Sequence, residues 1–498
     1  MRKRKLLKNT YAALINQFVT FICGFILPKQ ILIYFGSEAN GLITSITQFL
    51  GIIALMDMGI GAVVQSNLYK PLADGDEVAI NKIVTSARRF FNKIAIVMII
   101  YTILLMLFYP TFIYKSLDFV SIDILIFAIF VSSMAQYLLG ITNQMVLAAD
   151  QKAYVYLLPS SIAVVLNTIM SVILIRNGAT LNMVKLGSAL ILLLRPLAIT
   201  IYVKKHYNIN KKVDLKEEPI KQKWNAMAQH IATFVVDKTD VVVLTFLSTL
   251  KNVSIYYVYH LVVLGLCQIF AMLTTGIQSL FGDMYAKNEM EKLKKAYSVF
   301  EWIAHTMVSF LYGCAGVLMI PFVQVYTEGI NDANYLNVHF SWLITIAFAL
   351  YCLRTFYNIL VKSVGHYKET QAYAVIEAIL NVLISVILVW KLGLIGVAIG
   401  TLISVLYRAV SLMLYTNKNL IQRPKSIFFK QYFVDGLTFV LILFTTGSFK
   451  MEAVGYFEWG ILAIKTGGVA ALVVAIINVI FYKNMIVDVI SMLYRKKI

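Results

Sequence analysis

Residues 224–248 read WNAMAQHIATFVVDKTDVVVLTFLS. At about 1.5 Å per residue this stretch is long enough to cross a hydrocarbon layer of about 30 Å as a helix. Asp237, Lys238 and Asp240 sit at its middle. Ionisable groups at that depth cost roughly 2.5–3.5 kcal/mol each on insertion scales, so they face a polar interior or one another. Asp237 and Asp240 are three residues apart and share a helix face with His230 and Thr233. Lys238 points away from that face. The stripe either lines a cavity or locks this helix to a neighbour through a buried ion pair.

The rest of the chain has the same character. Of its 498 residues, 60% are hydrophobic and 14% charged, and the mean hydropathy is +0.77. That balance excludes a soluble globular protein and describes a polytopic membrane protein. Apolar runs place fourteen spans near 11–35, 41–63, 90–109, 122–147, 154–175, 182–203, 225–248, 254–281, 297–320, 339–361, 370–390, 393–416, 431–449 and 457–482. The basic start, MRKRKLLKNT, is like a signal-peptide leader, but the apolar run behind it is too long and lacks a small-residue cleavage site. It reads as a retained first span.

Charge sets the orientation. Of 44 Lys and Arg residues, 32 fall in the segments expected on the side of the termini and 6 in the alternate segments. The positive-inside rule then puts both termini in the cytoplasm. The net charge of +19 is therefore a topology signal that suits an anionic leaflet of membrane lipids, and nucleic acid is not an expected partner. Cys23, Cys267, Cys314 and Cys352 lie singly in apolar runs without metal-ligand spacing, so no metal site is expected. No phosphate-binding loop of the G-x-x-x-x-G-K-[ST] type occurs, which argues against an ATP-driven pump. The alternate loops are short, leaving no room for a catalytic domain; no catalytic residue is expected.

The first twelve spans divide into two sixes. Gln65-Ser66 recurs at Gln278-Ser279 with an offset of 213, and Gly187 with Arg195 recurs at Gly400 with Arg408. Leu166-Asn167-x-x-x-Ser171-Val172-Ile173-Leu174 recurs at Leu380-Asn381-x-x-x-Ser385-Val386-Ile387-Leu388 with an offset of 214. An even number of spans per half preserves orientation, so the repeats are parallel, and such repeats commonly hold a substrate path between them. The expected organisation is an all-α protein: an N-terminal six-helix lobe (1–203), a basic linker (204–224), a C-terminal six-helix lobe (225–416), and two extra spans with a tail (417–498).

Leu55-Met56-Asp57-Met58-Gly59-Ile60-Gly61, then Lys70-Pro71-Leu72-Ala73-Asp74-Gly75-Asp76, resembles the helix end and following loop of the oligosaccharide flippases, the Wzx-type polysaccharide exporters. Thr239-Asp240 followed by Val253-Ser254-Ile255-Tyr256 and Tyr259 is a second mark. The family belongs to the multidrug/oligosaccharidyl-lipid/polysaccharide exporter (MOP) superfamily. The resemblance implies a MATE-like fold and a multi-pass protein of the bacterial inner or plasma membrane. It implies translocation of an undecaprenyl-pyrophosphate-linked oligosaccharide for capsule, exopolysaccharide or a related surface glycan. A glycan polymerase and glycosyltransferases of the same pathway are the expected partners. A lipid II flippase or an ion-coupled multidrug antiporter is the alternative on the same fold, and a membrane-embedded glycan polymerase or ligase the alternative outside it.

A pyrophosphate cargo needs positive charge inside the membrane. The candidates are Lys29, Arg195, Lys238, Arg354 and Arg408; arginine suits the task because its planar fork gives two hydrogen bonds at once. Lys29 follows Pro28, where a kink is expected, and either faces a cavity or snorkels outward. Arg195 and Arg408 occupy equivalent repeat positions, which points to a shared structural duty. Asp57, Asp237, Asp240 and Glu377 are candidates for proton or sodium coupling, or else neutralise nearby cations. No other cofactor is expected. Glu301 and His305 read as an interfacial polar patch, and Lys465 as interfacial.

Overall fold

Without water in the bilayer core, a chain must satisfy its backbone polar groups within itself, and helices do so segment by segment. A computed structural model describes residues 2–53, 60–113, 118–209, 227–274 and 276–495, and among them it contains helices and no strand. Asp57 and residues 210–226 of the basic linker lie outside the described residues. The helices are α1 (Arg2–Gly51), α2 (Ile60–Asp74), α3 (Glu77–Ile113), α4 (Phe119–Ala135), α5 (Ile141–Ala149), α6 (Tyr154–Arg176), α7 (Leu181–Leu192), α8 (Leu194–His206) and α9 (Met227–Leu247). They continue as α10 (Leu250–Thr274), α11 (Ile277–Ala286), α12 (Met290–Tyr326), α13 (Val338–Ser363), α14 (Tyr367–Leu392), α15 (Leu394–Tyr415), α16 (Lys425–Thr446) and α17 (Tyr456–Arg495). Short π-helical turns join α4 to α5 at Gln136–Gly140 and follow α15 at Thr416–Ile421.

Twelve described helical stretches are long and apolar enough to cross a membrane, against fourteen spans placed from the sequence. Two physical features account for the difference. Leu7–Gly51 is one continuous stretch that carries both the first predicted span and the start of the second. It is broken at Gly36, whose φ of 82° lies where only glycine sits without strain. α1 continues through Pro28, where a kink is expected, and its non-helical backbone lies at Gly36. The second feature is α9, whose central Asp237, Lys238 and Asp240 exclude it on charge.

The chain divides into two units, Met1–Phe234 and Val235–Ile498. In the first, Asn16 of α1 donates to the Leu157 carbonyl and to Ser161 of α6, and Tyr109 of α3 donates to Ser45 of α1 at 2.7 Å. Its apolar core runs through Ile60, Val64, Val84, Phe91 and Val146. The outer faces stay apolar, as at Phe108 and Phe112, because a lipid-facing surface has no reason to be polar.

In the second unit α14 and α15 form a tight hairpin around Gly393. Small residues allow the approach: a Cβ at Gly396 would lie 2.5 Å from the Leu388 carbonyl, and one at Gly400 would overlap Ser385 Oγ. α12 packs against α16 and α17. Glu301 and His305, expected at an interface with water, are instead buried under α16 (0% and 2% exposed). Arg423 and Gln431 donate to Glu301 at 2.5 and 3.0 Å, while His305 joins Asp435 at 2.5 Å and the Tyr357 hydroxyl at 2.8 Å. The reason is that α16 and the residue pair before it bring Arg423, Gln431 and Asp435 into the packing as polar partners.

Candidate functional site

Helix α14 places Glu377, Asn381 and Ser385 at intervals of four, on one face. All three are buried with no exposed surface (0%). Helix α15 presents Thr401, Ser404 and Arg408 at helical spacing across the hairpin, and α13 contributes Arg354. The result is a buried polar seam in the second unit.

Glu377 is its centre. Arg354 Nη1 donates to Glu377 Oε1, and Arg408 Nη1 donates to Oε2 at 2.6 Å. Two guanidinium groups thus share one carboxylate, and Arg354 and Arg408 are only 4% and 1% exposed. Removing Glu377 from such a set costs about 3–5 kcal/mol, because charge is left buried and unpaired. The Arg354 guanidinium also lies 4.1 Å from the centre of the Tyr351 ring, a cation–π contact. The Tyr351 hydroxyl reaches Asp237 Oδ1 at 3.4 Å, long for an O–H···O bond. Tyr351 therefore connects the arginine pair to the charged helix α9.

Asp240 forms the second centre. It is 4% exposed, receives the Tyr256 hydroxyl at 2.9 Å, and has Thr401 Oγ1 at 2.8 Å from both carboxylate oxygens. Asn381 Nδ2 donates to Thr401 Oγ1 at 3.2 Å. Asn381 Oδ1 and Ser385 Oγ are buried with no hydrogen-bond partner among the described residues. Asp240 is thus held by two hydroxyls, and Asn381 and Ser385, one turn apart on α14, each carry a buried oxygen without a partner among the described residues. Asp237 and Asp240 differ in surroundings: Asp237 is exposed, while Asp240 is enclosed by α10, α14 and α15.

The first unit has the same frame and less charge. Ser171 and Ser188 lie 3.1 Å apart between α6 and α7, at the repeat positions of Ser385 and Thr401. Asn167, the counterpart of Asn381, also has a buried Oδ1 without a partner among the described residues. The position equivalent to Glu377 is Ala163. Arg195, the counterpart of Arg408, is half-buried in the first turn of α8, and its Nε has no partner among the described residues. Arg195 and Arg408 differ in their partners: Arg408 is seated on Glu377, and among the described residues Arg195 has no carboxylate within ion-pair distance. Lys29 and Lys238 are half-buried, each with a polar partner, and Lys465 is exposed on α17.

The structure therefore joins Arg354, Glu377 and Arg408, and brings Asp237 next to them through Tyr351. It sets Asp240 in its own oxygen cluster. Thr401, Tyr351 and Asn381 were not among the sequence candidates for function. The four-residue stripe Glu377, Asn381, Ser385 in α14 and its answering stripe in α15 are the signal that could have found Asn381 and Thr401; Tyr351, on α13, lies on neither. Among the described residues no group of three His, Cys, Asp or Glu side chains could hold a metal ion.

No protein-family model matches the sequence, and no curated protein matches it by sequence. Solved structures do. The chain is similar to lipid II flippase MurJ in an inward closed conformation, with a TM-score of 0.71 and 16% identity over 96% of this chain and 99% of that one. It is similar to the MATE multidrug transporter DinF-BH, with a TM-score of 0.62 and 16% identity over 84% of this chain and 97% of that one. An inward-facing MATE family multidrug resistance transporter of the MOP superfamily gives a TM-score of 0.60 and 15% identity, over 81% of this chain and 94% of that one. These neighbours belong to the MOP superfamily, and the fold is that of MurJ and the MATE transporters.

Proposed function

We propose that the chain is a flippase that carries an undecaprenyl-pyrophosphate-linked oligosaccharide from the inner to the outer leaflet of a bacterial cell membrane. The fold supports a flippase or transporter of the MOP type and not an enzyme. The observation that carries the reading to a lipid-linked glycan is the likeness to a lipid II flippase over nearly the whole of both chains. The MATE neighbours match a smaller share of this chain, which carries α16 and α17 beyond its two-lobe repeat. A lipid II-type cargo is the second reading, favoured by the same likeness.

The proposed site works by exchange of partners. The two phosphates of the cargo present anionic oxygens as Glu377 does to Arg354 and Arg408, and arginine forks donate hydrogen bonds to either. Lys29 and Lys238 add positive charge within the spans, and Arg195 adds it at the end of the first lobe. Asp237, Asp240 and Glu377 supply the negative charge that holds the basic interior together between cargo-bound states.

Coupling is assigned to Asp240. A sodium ion takes carboxylate, hydroxyl and amide oxygens together. Asp240, Thr401, Asn381 and Ser385 supply that donor set, two of its oxygens being buried acceptors with no protein partner among the described residues. A proton on Asp240 would neutralise the carboxylate but leave those two oxygens unsatisfied. Sodium entry from outside then biases which face the lobes open. Both termini are cytoplasmic in this reading, and a glycan polymerase and glycosyltransferases of the same pathway are the proposed partners.

The test replaces Arg354→Ala alone, which leaves Glu377 paired with Arg408 so that no charge is left buried alone. Surface glycan should disappear while the protein stays in the membrane. Normal export would remove Arg354 from the cargo path.

A further inference from the structure

The first unit holds a cavity that the transport reading does not use. It has a volume of about 570 Å³ and lies among α3, the π turn after α4, α5 and α8. That volume is within the range of small-ligand sites, about 300–1,000 Å³.

Its charge is one-sided. Arg88 and Arg89 of α3 and Lys204 of α8 line it, and among the described residues no Asp or Glu does. Among the described residues none of these three cations has a carboxylate partner within ion-pair distance. Three cations grouped without counter-charge among the described residues repel one another, so the arrangement gains from an anion placed between them.

The neutral lining fits the same ligand. Thr85, Asn92 and Asn208 supply further hydrogen-bonding groups at the wall. Asn143 is 5% exposed, and its Nδ2 is spent on the Leu139 carbonyl at 2.8 Å and on Thr200 Oγ1 at 3.1 Å. Its Oδ1 is buried with no partner among the described residues, so it is an acceptor waiting for a hydroxyl. The π turn holds this geometry. It frees the Leu139 carbonyl from the regular helical ladder, and Asn143 and Thr200 both approach it. The same turn leaves Leu138 and Leu139 exposed at the cavity wall, 43% and 38%. Cations, one hydroxyl acceptor and an apolar edge together match an anionic amphiphile.

We propose that this cavity binds a phosphate ester, with the phosphate on Arg88, Arg89 and Lys204 and a headgroup hydroxyl on Asn143. The source of that phosphate is either an anionic membrane lipid, whose chains lie along Leu138 and Leu139, or a soluble phosphate. The site is separate from the Glu377 and Asp240 clusters and does not depend on their assignment.

Native mass spectrometry of the purified full chain in detergent tests it, with titration by dioleoyl phosphatidylglycerol, dioleoyl phosphatidylcholine and inorganic phosphate. The expected result is preferential binding of phosphatidylglycerol over phosphatidylcholine, weakened at least tenfold in R88Q/R89Q. K292Q/K294Q, which removes the same charge from α12, should bind as the unchanged protein does. Displacement of phosphatidylglycerol by millimolar inorganic phosphate would assign the site to free phosphate; no displacement assigns it to the lipid. Equal weakening in both double variants, unchanged affinity in R88Q/R89Q, or no preference for phosphatidylglycerol would overturn the proposal. Should R88Q/R89Q fail to fold, Arg89→Gln alone serves, because Arg89 is exposed and its loss leaves no cavity.

Discussion

Arg408 Nη1 donates to Glu377 Oε2 at 2.6 Å from the helix that forms a hairpin with Glu377's own. Both side chains are out of reach of solvent. Arg354 holds the other oxygen of the same carboxylate. This one acid therefore decides whether two guanidinium groups inside an apolar bundle are neutralised or stranded.

Glu377→Leu should lower the unfolding free energy by about 3–5 kcal/mol, the usual cost of breaking a buried ion set by removing one partner. The triple variant R354M/E377L/R408M should recover most of that loss, since no charge remains to be stranded. Thermal unfolding in detergent compares the two. A triple variant no more stable than Glu377→Leu would show that the helices depend on the ions for their packing itself.

The α14–α15 contact makes a steric prediction. Gly396→Ala would set a methyl group 2.5 Å from the Leu388 backbone, and a backbone cannot step aside as a side chain can. The expected loss is about 1–3 kcal/mol. Gly436→Ala on α16 meets nothing within 4 Å and should be neutral or slightly stabilising, because alanine favours helix over glycine by up to about 1 kcal/mol. Unfolding midpoints of the two variants, measured side by side, check the contrast.

A pH dependence follows from Asp150, between α5 and α6. Burial raises its pKa, but hydrogen bonds from Lys152, Tyr207 and Lys5 outweigh that and hold it below the usual carboxylate range. A carboxyl group depressed on folding adds stability above its unfolded pKa of about 4, and that stability is lost as pH falls through the folded value. The Lys5 anchor of α1 should thus hold from neutral pH down to about pH 4 and weaken below it. Asp150→Asn should be less stable than the unchanged chain at pH 7, with the difference shrinking in acid. Unfolding midpoints between pH 3 and 8 show whether the curves converge.

Coupling at Asp240 predicts a sodium response. Sodium should raise the unfolding midpoint of the purified protein relative to potassium. Asp240→Asn should abolish the shift and Thr401→Val reduce it, since each removes an oxygen from the set. An equal response in Asp240→Asn would move the ion elsewhere.

Several features of this molecule are legible from periodicity alone. Apolar runs of membrane length mark the spans, and the repeated Asn167/Asn381 and Ser171/Ser385 positions mark the seams where α6 meets α7 and α14 meets α15. Arg354, Glu377 and Arg408 each announce themselves as charges in apolar surroundings. Their union does not, because residues on three helices meet only after packing. Thr401 and Tyr256 are common residues in membrane helices, so nothing in composition ties them to Asp240. Glu301 and His305 mislead for a related reason: the partners that bury them come from Arg423, Gln431 and Asp435, more than a hundred residues away. The helix break at Gly36 rather than Pro28 rests on a backbone angle, which hydropathy does not report.

The most direct test of the central claim is leaflet exchange in reconstituted vesicles. The protein is placed in liposomes containing a fluorescent undecaprenyl-pyrophosphate oligosaccharide, and the fraction reaching the opposite leaflet is followed under an imposed sodium gradient. The account predicts exchange well above that of protein-free vesicles, loss of it in R354A, and no acceleration for a labelled phosphatidylcholine. Exchange indistinguishable from protein-free vesicles, or equal exchange of phosphatidylcholine, would contradict it.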